Sequence, residues 1–348
     1  MRRHLRLVAV ALTALAATAV ALAPTSKAAA DRIQVKALVM ATFPGEASPW
    51  FAREATPTAG QPGYVKVPGL ATQENPDGSV RCNLSRGLCV TVVGTTKSKS
   101  GPSTMAILAA TDRFDFAQTR FLLVGIAGIS SWNGTIGDAG VADHVVDTDL
   151  GSPFLDPQQA VAGMTHLKGC HLALQWCPFD TPPLGAYDQA VYRLPLGRWA
   201  FELTKNLKLA DDAAAKAERR FYPGEADDTP RVRHCDVAGN DAFWVGAREA
   251  RQQDAIALER SGSPRCTSAF EDPGVAGALR RFGFLDRLVV VRTGSDFEDQ
   301  RPTGSPVTGR TPLGLYELLH TDAGFAGFAI AVENEWQVGT VVAKAWAP

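Results

Sequence analysis

Apolar and polar positions along the chain fall into short blocks of two kinds. Strand-like runs recur at Ile33 to Thr42, Leu88 to Gly94, Arg120 to Gly125, Asp138 to Val146, Arg231 to Val237 and Leu288 to Arg292. The run from Arg120 to Gly125 is unbroken rather than alternating, the mark of a strand covered on both faces. Between these runs the apolar positions take helical spacing. Ser103 to Asp112, Trp199 to Leu207, Asp211 to Phe221, a segment starting near Phe243 or Trp244, Phe270 to Phe284 and Gly324 to Trp346 read as helices. Pro273 falls in the first turn of its helix, where a missing N–H costs nothing.

Strands that alternate with helices predict an α/β fold, with a mixed, largely parallel sheet covered by helices on both sides. No internal repeat is visible, and no linker is long enough to separate two folded units. The expectation is a signal segment over residues 1–30 and a single domain over 31–348. Asn75-Pro76-Asp77-Gly78 reads as a turn between hairpin strands. The stretch from Gly151 to Pro195 is irregular and rich in proline.

The amino terminus changes the picture of where the chain works. Arg2, Arg3 and Arg6 precede an apolar run from Leu7 to about Pro24, and Ser26-Lys27-Ala28-Ala29-Ala30 follows. A basic segment, an apolar segment and small residues in that order make a secretory signal peptide with cleavage near Ala28 to Ala30, and predict an exported protein. The competing reading is a retained anchor. No later stretch approaches the ~20 consecutive apolar residues of a membrane-spanning helix. The net charge of the 348-residue chain is -1, which offers no basic face for nucleic acid.

Export permits disulfides. Of the six cysteines, Cys82 and Cys89 share a spacing of seven with Cys170 and Cys177, and Cys235 with Cys266 would close a third bridge. Six cysteines allow 15 pairings, so spacing alone leaves others open. A zinc reading around Cys170, His166 and His171 lacks a regular ligand spacing. The motifs call for no cofactor.

In sheets of this kind ligands sit beyond the carboxyl ends of strands. Glu46 follows the first strand and could act as a base, or serve only the dipole of a helix amino terminus. Ala127 and Gly128 lie in a glycine-rich strand end where backbone can approach a ligand. Asp241, Phe243 and Trp244 follow another strand; the aromatic pair could flank a flat base or simply join the core. Glu271 opens a helix and could accept hydrogen bonds from two ribose hydroxyls. Asp296 follows the next strand; shielded from water, it would keep a proton and donate it to a purine. Both acids could instead be helix caps.

Phe121-Leu-Leu-Val-Gly-Ile-Ala-Gly128, Gly134-Thr-Ile-Gly137, Trp199 to Leu207, Cys235-Asp-Val with Asp241-Ala-Phe-Trp244, Phe270-Glu-Asp272 and Arg292-Thr-Gly-Ser-Asp-Phe297 together resemble the purine nucleoside permease family. That family is similar in turn to nucleoside phosphorylases and nucleosidases. The resemblance implies a nucleoside-phosphorylase-like fold. It implies that Asp296 contacts the base, that Glu271 binds ribose, and that Glu46 resembles the water-activating carboxylate of nucleosidases. It places Asp241, Phe243 and Trp244 next to the base, and Ala127 and Gly128 near ribose and base. The family's Gly-Met-Gly stretch is replaced by Gly94-Thr-Thr-Lys-Ser-Lys-Ser-Gly101, where Lys97 and Lys99 could meet phosphate or form a solvated loop.

Two functions follow as expectations. One is an exported purine nucleoside-binding protein serving nucleoside uptake. The other is cleavage of the N-glycosidic bond, with phosphate as a second partner if the reaction is phosphorolysis. No arginine cluster stands out near the glycine-rich strand ends, which favours water over phosphate as the attacking group. Phosphorylase relatives associate, so a homo-oligomer is expected by analogy.

Overall fold

The computed structural model describes residues 32–54, 64–67, 80–148, 190–222, 224–242, 244, 246–299, 301 and 325–348. The chain begins with β1 (Ile33–Gln34), β2 (Ala37–Ala41), α1 (Pro44–Arg53), β3 (Tyr64–Val67), β4 (Val80–Asn83), β5 (Leu88–Val92) and α2 (Lys97–Ala109). It continues through β6 (Phe114–Asp115), β7 (Arg120–Ile129), β8 (Ala139–Val141), β9 (His144–Asp147), β10 (Val191–Arg193), α3 (Gly197–Thr204) and α4 (Ala213–Arg219). It ends with β11 (Val232–His234), β12 (Asp236–Gly239), α5 (Ala247–Ser261), β13 (Arg265–Ala269), α6 (Asp272–Arg281), β14 (Leu288–Phe297) and α7 (Phe328–Trp346).

Twelve of the strands form one mixed sheet, ordered β10-β9-β12-β13-β7-β2-β5-β4-β3, with β14 beside β7 and β8, and β11 beside β8. Its centre is parallel: β5, β2, β7 and β14 all run one way. The antiparallel pairs β3–β4 and β4–β5 close one side. The central strands send alternate side chains to two cores. Leu38, Met40, Phe121, Leu123 and Val290 meet Ile107 of α2 and Val275 and Leu279 of α6. Val39, Leu122, Val124, Val289 and Val291 meet Trp50 of α1, Ala200 of α3 and Val338 and Val342 of α7. Burial on both faces is why these strands read as nearly unbroken apolar runs. The fold class expected from the sequence is the one observed.

Several boundaries differ. The strands expected to stop at Gly125 and Arg292 continue to Ile129 and Phe297, because they pair in parallel up to Phe297 against Ile129. The register shifts between Gly294 and Asp296, so the residues read as a loop form a bulged strand. The single run Asp138 to Val146 is two strands, as is Arg231 to Val237. Each changes partner at its break: β8 pairs with β14 and β11, whereas β9 pairs with β12 and β10. The helix expected to begin at Ser103 begins at Lys97 and carries Pro102 inside it. The segment Gly94 to Gly101 is therefore mostly helix rather than loop. The helix expected near Phe243 or Trp244 begins at Ala247, after Gly246 at φ 118°. The turn Asn75 to Gly78, most of the irregular stretch and residues 1–30 lie outside the described residues.

Cys82 bonds Cys89 across the β4–β5 pair, and Cys235 bonds Cys266. Cys170, Cys177, His166 and His171 lie outside the described residues. No described helix is long and apolar enough to cross a membrane.

Candidate functional site

The carboxyl ends of β2, β5, β7, β13 and β14 open into one cavity of about 320 Å³. That is within the size range of small-ligand pockets. Glu46 enters from the first turn of α1, whose Pro44 supplies a preset first helical residue. Ile126, Ala127 and Gly128 belong to β7, and Ser295 and Asp296 to the bulged end of β14. Glu271 sits at the junction between β13 and α6. The bulge matters here, since one extra residue re-aims the side chains that follow it.

Behind the cavity lies Arg292, fully buried in β14. Its Nε donates to Asp272 at 3.0 Å, and its Nη2 donates to Asp272 at 2.7 Å and to Glu271 Oε2 at 2.9 Å. Nη1 lies 3.9 Å from Glu46 Oε1. Glu46 accepts three further bonds: from the Thr42 N–H at 2.7 Å, the Thr42 hydroxyl at 2.5 Å and the Ile126 N–H at 2.8 Å. This packing leaves no room for a side chain at position 125. A Cβ on Gly125 would stand 2.0 Å from Arg292 Nη1 and 2.6 Å from Glu46 Oε1.

Burial penalises the charged form of every acid here. It raises Glu46, against the pull of Arg292 and the Thr42 and Ile126 donors. Glu271 is pushed up to about 8, again by burial first; Arg292 opposes this while Glu46 and Asp272 add to it. Asp296 rises to about 7 through burial, with Ser295 opposing and Glu298 assisting. Ser295 Oγ lies 2.6 Å from Asp296 Oδ1 and fixes that oxygen, which leaves Oδ2 for a ligand. Burial thus favours the protonated form of Asp296, the form that can give up a proton to a ligand.

A second buried ion pair borders the cavity. Arg265 donates to both oxygens of Glu298, each at 2.8 Å, and Ser130 and Ser268 also donate to that carboxylate. Burial pushes Glu298 up, but the Arg265 charge and these hydrogen bonds outweigh it and hold Glu298 below the usual carboxylate range.

Of the residues singled out in the sequence, Glu46, Ala127, Gly128, Trp244, Glu271 and Asp296 line this one cavity. Asp241 does not. It is exposed, and its carboxylate accepts the N–H of Lys97 at 2.7 Å, capping the start of α2 from outside. Phe243 lies outside the described residues. Lys97 Nζ lies 3.3 Å from Asp147, and Lys97 is not among the residues that line the cavity. The sequence reading missed Arg292, Arg265 and Glu298. Its signal was available: an arginine ending a run of three valines in a covered strand must find buried partners. Among the described residues no group of His, Cys, Asp and Glu is placed to hold a metal ion.

Parallel central strands between two helical layers place the chain in the nucleoside phosphorylase-like class of α/β folds. Solved structures agree on the fold. A 5′-methylthioadenosine/S-adenosylhomocysteine nucleosidase from Helicobacter pylori superposes with a TM-score of 0.51 over 90% of this chain and 97% of that one, at 13% identity. The corresponding nucleosidase from Colwellia psychrerythraea, in complex with adenine, gives 0.51 over 90% and 96%, also at 13%. Within that class the chain belongs to the purine nucleoside permease family, whose model matches residues 34–346. A Schizosaccharomyces pombe protein named as a purine nucleoside permease is 28% identical over 76% of this chain and 78% of its own length. The Candida albicans purine nucleoside permease is 24% identical over 89% and 74%.

Proposed function

We propose that the chain is an exported protein that holds a purine nucleoside in this cavity and serves nucleoside uptake by capturing its ligand outside the membrane. The observation that carries the reading is the convergence of Glu271 and Asp296, both buried, on one cavity of ligand size. Glu271 accepts from the ribose hydroxyls, and Asp296 donates to the base. Trp244 and Phe270 in the cavity wall offer apolar surface to the purine. The permease names of the two fungal relatives support uptake as the role. The basic, apolar and small-residue order of the amino terminus supports export.

A second reading is favoured by Glu46. A carboxylate held by three hydrogen bonds beside the cavity is a base in waiting, and Asp296 is an acid that keeps its proton near neutrality. Together they suit hydrolysis. Water's oxygen bonds to C1′ of the ribose as the C1′–N9 bond breaks. Glu46 takes a proton from that water, and Asp296 gives its proton to N7 of the departing base. The products are free ribose and purine, and exchange with solvent resets both acids.

Incubating the purified chain with inosine or adenosine, with and without phosphate, separates these readings by chromatography. Free base in both conditions identifies a hydrolase, and base only with phosphate identifies a phosphorylase. Tight equilibrium binding without products identifies the carrier. Neither binding nor product overturns the assignment of the cavity.

A further inference from the structure

Helix α7 carries a carboxyl group that the site does not use. Glu335 is completely buried, and neither of its carboxyl oxygens has a hydrogen-bond partner among the described residues. Its position follows from how α7 lies along α1. The ring of Phe43 stands 6.2 Å from that of Phe328. Trp50 packs so closely on Gly339 that a Cβ there would come within 2.7 Å of the indole. Thr340 Oγ1 donates to Glu54 Oε1 at 2.8 Å. These contacts climb both helices in the same direction. Glu46 is one turn before Trp50, and Glu335 is one turn before Gly339, so the two acids lie on facing helix surfaces, with Glu46 lining the cavity and Glu335 set back from it.

The groups around Glu335 do not allow it a stable negative charge. From α1 the facing charge is Glu46, and from β14 it is Arg292. Strands β2 and β8, which also pack on α7, contain no charged residue, and β7 has only Arg120, at its far end. On α3, Arg198 and Glu202 pair with each other at the surface. Arg292 is already engaged by Asp272 and Glu271 and lies near Glu46. An ionised carboxylate buried without donors costs several kcal/mol, so such a group keeps its proton.

Two facing acids with one proton between them divide the roles by their hydrogen bonds. The acid with donors takes the charge, and the acid without donors takes the proton. We infer that Glu335 is the proton-bearing partner of Glu46, a neutral carboxyl on α7 that leaves Glu46 as the ionised member of the pair. It is a positioning residue, since it acts through Glu46 and does not line the cavity. Its consequence for chemistry rests on the hydrolytic reading: only an ionised Glu46 can take the proton of an attacking water. Burial first, and then the charge of Glu46, raise Glu335 well above the ordinary glutamate range.

The test compares the wild type with Glu335→Gln, Glu335→Ala and Glu46→Gln. At neutral pH the wild-type infrared spectrum should hold, beside the protonated carboxyls of Glu271 and Asp296, a protonated-carboxyl band that is missing from the difference spectrum of Glu335→Gln. In Glu46→Gln that band should titrate at lower pH, because a neighbouring negative charge is gone. A raised folded-state pKa makes the folded chain hold a proton that the unfolded chain releases, so the Glu335 contribution to stability falls as pH rises above about 4.3. Glu335→Gln should therefore gain in Tm over the wild type as pH increases. In the base-release assay, Glu335→Gln should retain turnover that Glu335→Ala loses. A Glu335→Gln variant that becomes progressively less stable than the wild type as pH rises, or a band unmoved by Glu46→Gln, overturns the pairing. If the wild type releases no base but the band and its shift are present, the hydrolytic reading fails while the carboxyl pair stands.

Discussion

Arg292 Nη2 donates to Glu271 Oε2 at 2.9 Å and to Asp272 Oδ2 at 2.7 Å, which ties the turn entering α6 to the middle of β14. The bond joins two stretches that are 21 positions apart in sequence and brings Glu271 to the strand that bears Asp296. Arg292→Met should leave Glu46, Glu271 and Asp272 buried without their cation. Breaking a buried charge pair on one side costs about 3–5 kcal/mol. Urea unfolding should show a loss of that order, and nucleoside affinity should fall with it. A variant as stable as the wild type would mean that the guanidinium is not what holds this cluster together.

Asp296 supplies the pH signature. Its folded-state pKa of about 7 lies above the ordinary aspartate value, chiefly through burial. If the chain hydrolyses nucleosides, Asp296 must be protonated to donate, so base release should decline as pH rises through about 7. Stability has the same sign. The folded chain keeps a proton that the unfolded chain loses above about pH 4, so the Asp296 contribution becomes unfavourable between about 4 and 7. Asp296→Asn keeps the shape and removes the acid. It should reduce turnover by about 10²- to 10⁴-fold, remove the decline near pH 7, and raise Tm relative to the wild type at pH 8 more than at pH 4. A pH–rate profile on both proteins checks this.

Glu271 should decide how the sugar is read. It is buried at the α6 entrance with one oxygen on Arg292. With its pKa pushed up to about 8, Glu271 holds its proton at neutral pH, where each hydrogen bond is worth about 0.5–1.5 kcal/mol, so losing two with Glu271→Ala should weaken inosine binding by about 5- to 100-fold. The same change should scarcely affect 2′,3′-dideoxyinosine, which lacks the hydroxyls. Calorimetric titration with the two nucleosides gives the comparison. Equal losses for both would place Glu271 away from the sugar.

Much of this site was legible because its acids follow strands. Glu46 stands just after an apolar run and Asp296 inside the bulged end of one, whereas Glu271 was read from the start of its helix, since the strand before it, Arg265–Ala269, is not an apolar run; a covered sheet gathers such positions at one edge. Asp241 looked equivalent by the same rule, yet its carboxylate turned to the first N–H of α2. Local pattern cannot tell a strand-end acid that faces a cavity from one that caps a neighbouring helix. Arg292 was read as a strand terminus, and parallel pairing with β7 instead carried the strand past it. Glu335 was the least legible of all. Glu333, Asn334 and Gln337 surround it with polar residues, and only the packing of α7 against α1 and the sheet buries it.

Gly125 gives the sharpest steric test, because its neighbours are the chemical groups themselves. A methyl at this position would stand 2.0 Å from Arg292 Nη1 and 2.6 Å from Glu46 Oε1. Neither can withdraw easily, since Arg292 is held by Asp272 and Glu271, and Glu46 by Thr42 and the Ile126 N–H. Overpacking a filled core costs about 1–3 kcal/mol, and here the displaced atoms also lose charged hydrogen bonds. Gly125→Ala should therefore fall at or above the upper end of that range in urea unfolding, and what remains folded should bind nucleoside poorly. Gly224→Ala is the control. A Cβ there meets nothing within 4 Å, although the backbone sits at φ +72°. That variant should pay only the modest cost of an unfavourable backbone angle, about 1–2 kcal/mol, and keep its ligand affinity. If Gly125→Ala matched it in both measurements, the Arg292–Glu46 contact would not be the tight junction on which the site depends.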